Sequence, residues 1–304
     1  MNVKSIMLLI ISAILFSSCE FLDTDMEEKF SFEDPLFLGI NEVLVSCNGS
    51  RIANQDVWTN EFDGLLNDYR INGHKLNYSN LARSGRERLC GLVKFLEIKP
   101  ASFESYSNNE KLAIWINTYH LMMVNLIAEG YGQVNEPGKP QKPEFRSPLN
   151  IGNKGLKVFE EFKWLVFGAY RSLDQVEEEI DKLVGFKSKV SLYRGMVGFG
   201  PLPEQALIAS NVHEYLNEGL YKIVNESIFY DDLSSPPTAF VPGSLELYMN
   251  DLSAKEASLR KILAENLDQT VWGAVLNGND LLIKEEGQFK WKLSFDPINW
   301  QLAE

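Results

Sequence analysis

The sequence predicts an α+β fold, a mostly helical single domain with a small antiparallel or mixed sheet. Three observations carry that expectation. The stretch SNNEKLAIWINTYHLMMVNLIAEG, residues 107–130, has apolar residues around most of a helical circumference, the pattern of a helix buried on several sides. Amphipathic stripes of helical period recur on both sides of it, whereas period-two segments are short and gather toward the C-terminus. No internal repeat and no clear linker divides residues 55–304.

Composition sets the outer limits. With 304 residues, 45% of them hydrophobic and 23% charged, the chain can build a sizeable core. Its formal charge of −13 is spread along the sequence and argues for solubility. A nucleic-acid binder needs a concentrated basic footprint, and the chain has none, so nucleic acid is excluded as a partner.

The first residues read as an export signal rather than a membrane span. MNVKSIMLLIISAILFSSCE offers Lys4 as a basic start, an apolar core from Ile6 to Phe16, and the small residues Ser17 and Ser18 just before Cys19. A small pair ahead of a cysteine resembles a bacterial lipobox, in which the chain is cut before a lipidated cysteine. The expected layout is a signal peptide over 1–18, a lipidated Cys19 with a tether over 19–54, and a folded domain over 55–304. An ordinary secretory signal is the competing interpretation. Cys47 and Cys90 then form a disulfide or stay as two buried thiols, and spacing does not choose between them.

Along the domain, Trp58, Phe62, Leu65, Leu66 and Tyr69 mark a helix, INGH (71–74) a turn, and Leu89, Leu92, Val93 and Leu96 a further helix. Ser107 and Glu110 are spaced as a capping box for the long helix, and Gly130 is placed to stop it. Prolines 137, 140, 143 and 148 make the next stretch irregular. LKVFEEFKWLVFGAYR reads as strand turning near Arg171, followed by a helix capped by Ser172 and Gln175 and ended by Gly185. Residues 188–193 read as a short strand that enters the glycine-rich loop LYRGMVGFGPLP (192–203). Helical patterning returns through His213, Tyr215, Leu216 and Leu220, then in SLELYMNDL and SLRKILAENL. The C-terminal LLIKEEGQFKWKLSFDPINWQL has the period of a hairpin with Gly287 in its turn.

Chemistry-bearing motifs are sparse. Of three histidines, His74 falls in a turn, and His120 and His213 lie on helices where each is either a base candidate or a packed residue. No H-E-x-x-H, G-x-S-x-G or P-loop pattern is present, so neither a metal nor a nucleotide cofactor is expected. Glu177, Glu178 and Glu179 read as a solvated helix face.

Five segments taken together resemble a known family. LNYSNL, EKLAIWINTYHLMMVNLI, RSLDQVEEEI, the glycine-rich loop and the terminal INWQLA follow the order seen in the DUF547 family of largely uncharacterised domains. The second of these is close to the family's EKLAFWINAYNALTLKLI. The resemblance implies a fold distantly similar to papain-like or transglutaminase-like thiol enzymes. It also implies a thiol site that this chain has lost. The family's L-x-x-I-E-H has Glu178 at its histidine, and its two loop cysteines fall on Arg194 and Phe199. Trp115, Asn117, Tyr119 and His120 are the pocket candidates on the long helix. Glu178 is expected to pair with Arg194 and close the former site.

Two functions follow as expectations. One is a lipid-anchored envelope protein that binds or scaffolds, with an envelope protein, peptide or glycan as partner. The other is a hydrolase or transferase acting on peptide or glycan material, with a relocated site built on His120 or His213. The sequence leaves open whether the anchored domain faces the periplasm or the cell exterior.

Overall fold

The computed structural model describes residues 52, 54–73, 75–134, 147–153, 155–185, 187–196, 199–243, 245, 255–273, 275–285 and 288–296. The leader, Cys19, the tether, His74, most of the expected helix at 244–252, Gly287 and INWQLA lie outside them.

The domain is built around one long helix. α1 (Gln55–Tyr69) starts at Asn54, whose side chain accepts the Val57 N–H at 3.0 Å, and it buries Trp58, Phe62, Leu65 and Leu66. A short hairpin, β1 (Arg70–Asn72) and β2 (Lys75–Leu76), leads into α2 (Tyr78–Ser84) and α3 (Arg86–Phe95). The Trp58 indole donates to the Leu92 carbonyl at 3.0 Å and ties α1 to α3. α4 (Asn108–Val134) then crosses the core. Its capping box is formed: the Ser107 N–H donates to Glu110 Oε2 at 2.7 Å, and the Glu110 N–H donates to Ser107 Oγ at 3.3 Å.

Gly130 does not stop α4. The helix runs another turn to Val134, and Tyr131 in that turn stacks on Tyr78 with ring centroids 6.2 Å apart. Packing of this kind outweighs the roughly 1 kcal/mol that a glycine costs inside a helix.

Two further expectations are corrected. Residues 156–171 begin not as strand but as a single helical turn, α5 (Val158–Glu161). Adjacent strand residues face opposite sides, whereas one helical turn lets the neighbours Val158 and Phe159 both reach the core, and both are buried. The hairpin β3 (Trp164–Val166) and β4 (Ala169–Arg171) follows, turning at Phe167–Gly168 rather than near Arg171. Residues 187–191 form a helical turn, α7, and not a strand. The Leu192 N–H donates to the Ser188 carbonyl at 3.0 Å, and so short an apolar run carries no decisive period.

Between these, α6 (Leu173–Val184) has a complete capping box from Ser172 and Gln175, and it ends at Gly185 with φ +61°. α8 (Val212–Lys222) passes into a wider turn over Ile223–Ser227. A three-stranded mixed sheet completes the fold. β5 (Phe229–Asp231) pairs antiparallel with β6 (Thr238–Val241), and β6 pairs in parallel with β9 (Lys292–Phe295). α9 (Lys255–Asn266), α10 (Gln269–Trp272) and the small hairpin β7 (Lys284–Glu285) and β8 (Gln288–Phe289) lie between β6 and β9 in sequence.

Burial follows this division. One apolar cluster surrounds α4, and a second joins the three-stranded sheet to α9 through residues such as Val224, Val241, Leu263 and Trp291. α8 contributes Val212, Tyr215 and Leu216 to the first and Leu220 to the second. The expected class therefore holds: mostly helical, one domain, small antiparallel and mixed sheets. Among the described residues no helix is long and apolar enough to cross a membrane.

Candidate functional site

The glycine-rich loop lies against α4, and two of its glycines are there for space. Gly195 has φ +74°, and a Cβ there would also run into the Ile127 side chain of α4. At Gly200 a Cβ would collide with the carbonyls of Ser191 and Leu192, which are backbone and cannot turn aside. These glycines let the loop fold closely over its own preceding turn.

Arg194 is 7% exposed and its charged partner is Glu177, which is 2% exposed. The expected partner, Glu178, faces solvent instead. Successive residues of a helix are turned about 100° from one another, so Glu177 falls on the inward stripe with Leu173, Val176 and Ile180, and Glu178 falls outside it. The reading of 177–179 as one solvated face is corrected on the same ground. The Arg194 guanidinium also lies 5.1 Å from the Phe159 ring centre and 6.0 Å from that of half-buried Phe199. Of the three positions singled out in sequence, Arg194 and Phe199 meet, and the ion pair passes to the neighbour of the third.

His120 is fully buried in the middle of α4. Its Nε2 accepts the Tyr193 N–H at 3.3 Å, which leaves the ring proton on Nδ1. The Tyr215 hydroxyl stands 3.2 Å from the same nitrogen, but its single proton has a shorter contact, 2.6 Å to the Ser191 carbonyl. Burial pushes the imidazole pKa down to about 3, so His120 is neutral across the physiological range. Burial, with a smaller contribution from the Glu218 charge, raises the Tyr215 phenol well above its ordinary value. Both side chains are thus neutral, and each ties its helix to the start of the loop, His120 from α4 through Tyr193 and Tyr215 from α8 through Ser191. His213 is exposed, with Nε2 2.9 Å from Asn109 Oδ1.

The remaining candidates on α4 diverge around its circumference. Asn117 is buried and clamps Leu207 at both ends: it accepts the Leu207 N–H at 2.8 Å and donates to the Leu207 carbonyl at 2.8 Å. Two side chains absent from the sequence reading complete this clamp. Asp63 accepts the Ala206 N–H, and Arg70 donates to the carbonyls of Pro203 and Glu204, each at 2.9 Å. Burial raises the Asp63 pKa, partly offset by that N–H. Tyr119 is buried edge-on to His120, with ring centroids 6.1 Å apart. Trp115, by contrast, borders a surface cleft that also takes in Phe103, Phe167 and Arg171. No group of metal-ligating side chains occurs among the described residues.

The block from the turn before α4 to the start of the loop is also where the chain is similar to known sequences. Residues 103–193 match the DUF547 family model. That family is described as a protein of unknown function, and the match spans under a third of the chain. The DUF547 segment holds Glu177, His120 and Trp115, and it stops one residue short of Arg194. No curated protein and no solved structure matches the chain.

Proposed function

We propose that the chain is a lipid-anchored protein of the cell envelope whose domain binds or scaffolds rather than catalyses. One observation supports the non-catalytic half. Arg194, at the position the resemblance gives to a family cysteine, is buried, paired with Glu177 and bordered by Phe159 and Phe199. A cysteine there supplies a thiolate nucleophile, whereas a guanidinium is a permanent cation with no lone pair to attack with. Phe199, at the second cysteine position, is unreactive, and Glu178, at the histidine position, faces solvent. The anchor rests on the basic start, apolar core and Ser17–Ser18–Cys19 of the leader.

The competing hydrolase or transferase needs a base elsewhere. His120 is neutral but its Nε2 is engaged by Tyr193, and His213 sits at the surface against Asn109.

The test uses the full chain made with its own leader in a bacterial host. Cys19→Ser is expected to abolish acyl labelling and to shift the protein from the membrane to the soluble fraction. Wild type is expected to release no more product from peptide or glycan substrates than the His120→Ala/His213→Ala double variant. Unchanged labelling of Cys19→Ser would sink the anchor, and turnover lost in the double variant would sink the non-catalytic reading.

A further inference from the structure

The cleft beside Trp115 has a volume of about 350 Å³, within the range of small-molecule sites. Its base is aromatic. Trp115 and Phe167 meet with ring centroids 5.0 Å apart, and Phe103 lies 5.4 Å from Phe167 and 5.9 Å from Trp115. Its rim carries the cations Lys99, Lys111, Arg171 and Lys182 against only two carboxylates, Glu104 and Glu179. In a chain of net charge −13, this is a locally positive concavity.

The carboxylates are already shared. Glu179 receives Lys182 at 3.0 Å and Arg171 at 3.4 Å, and Glu104 receives Lys99. Lys111 donates to the Glu104 backbone carbonyl at 3.1 Å. The Arg171 guanidinium lies 5.5 Å over the Trp115 ring, and its buried Nε has no hydrogen-bond partner among the described residues. That nitrogen is closed to solvent, but the Arg171 side chain as a whole is 29% exposed, so its guanidinium has further N–H donors to offer an acceptor in the cleft.

Phe167 adds an independent observation. It has φ +52°, a conformation that suits asparagine or glycine in a two-residue hairpin turn and strains a bulky aromatic residue. The strain is held by tertiary bonds: the N–H groups of Phe167 and Gly168 donate to the Leu96 and Glu97 carbonyls at 2.7 and 2.9 Å. An ordinary turn residue would form the hairpin at less cost, but it would leave the cleft without this wall.

We infer that this cleft binds a small organic anion, with a carboxylate or phosphate group held by Arg171 and Lys111 and an apolar ring set against Phe167 and Phe103. The inference deepens the binding function proposed above and rests on it.

The experiment uses the full-length chain in mild detergent, with 5-fluorotryptophan incorporated and the Trp115 resonance assigned by Trp115→Phe. Phenyl phosphate and 3-phenylpropionate are the probes, and their relative affinities tell phosphate from carboxylate. At least one is expected to shift the Trp115 fluorine signal saturably, while inorganic phosphate does so at least roughly tenfold more weakly. Arg171→Gln and Lys111→Gln should each weaken binding by roughly tenfold, and Lys163→Gln, the same charge change at an exposed site outside the cleft, should not. No saturable shift with either probe, or equal weakening by Lys163→Gln, would overturn the site while leaving the non-catalytic reading intact. Inorganic phosphate binding as tightly as phenyl phosphate would overturn the ring-binding part. Saturable binding followed by conversion of the probe would uphold the site and overturn the non-catalytic reading.

Discussion

Arg194 and Glu177 depend on each other because both charges are buried in the fold. Breaking a buried pair by removing one partner costs about 3–5 kcal/mol, whereas replacing both by apolar groups of similar size is close to neutral. Arg194→Met is therefore expected to lower unfolding free energy by about 3 kcal/mol or more in urea titration, and Glu177→Leu in the same chain should restore most of the loss. His120 is felt as a pH dependence. Its folded pKa, about 3, lies below the ordinary value of 6.5, so the folded state binds fewer protons than the unfolded one. Its contribution is fully present above pH 6.5 and is progressively lost as pH falls toward 3, with a limiting slope of about 1.4 kcal/mol per pH unit. Relative to His120→Phe, wild type should lose stability over that acid window and run parallel to it above pH 7.

At the scale of elements, the segment 203–207 is held by side chains from three separate places: Asp63 on α1, Arg70 on β1 and Asn117 on α4. Asn117→Ala leaves the buried Leu207 N–H and carbonyl both unpaired. A loss of about 1–3 kcal/mol is expected, together with faster amide exchange at Leu207, since the side-chain acceptor of its N–H is gone. The clamp was not legible in the sequence: the family resemblance marks Asn117 as a pocket candidate, but nothing local says which distant segment reaches it. The ends of α6 were legible. Ser172, Gln175 and Gly185 act on backbone within a few residues of themselves, so their spacing alone locates the helix. Gly130 carried the same kind of signal and misled, because the stacking of Tyr131 on Tyr78 couples residues far apart in the chain.

On the scale of the whole molecule, Cys90 on α3 is disulfide-bonded, and its partner lies outside the described residues. Only Cys19 and Cys47 are available, and a lipidated Cys19 would leave Cys47 alone. An exported chain would keep such a bond. Under non-reducing conditions wild type should therefore show no thiol reactive toward maleimide after denaturation, and Cys47→Ser should expose Cys90. A Cys47→Ser chain that still lacks a free thiol would mean that Cys90 pairs elsewhere.

The sequence by itself determined the class of fold, the long central helix, the capped start of α4, both ends of α6, and the position of the glycine-rich loop. Each depends on periodicity or on contacts within one turn, which are written locally. Only the tertiary structure decided that Glu177 and not Glu178 meets Arg194, that Asn117 closes a clamp, and that Trp115 opens onto a basic cleft. Those outcomes depend on which side of a helix faces inward and which distant segment arrives there. One residue along a helix turns a side chain by about 100°, enough to separate a buried ion pair from a solvated carboxylate.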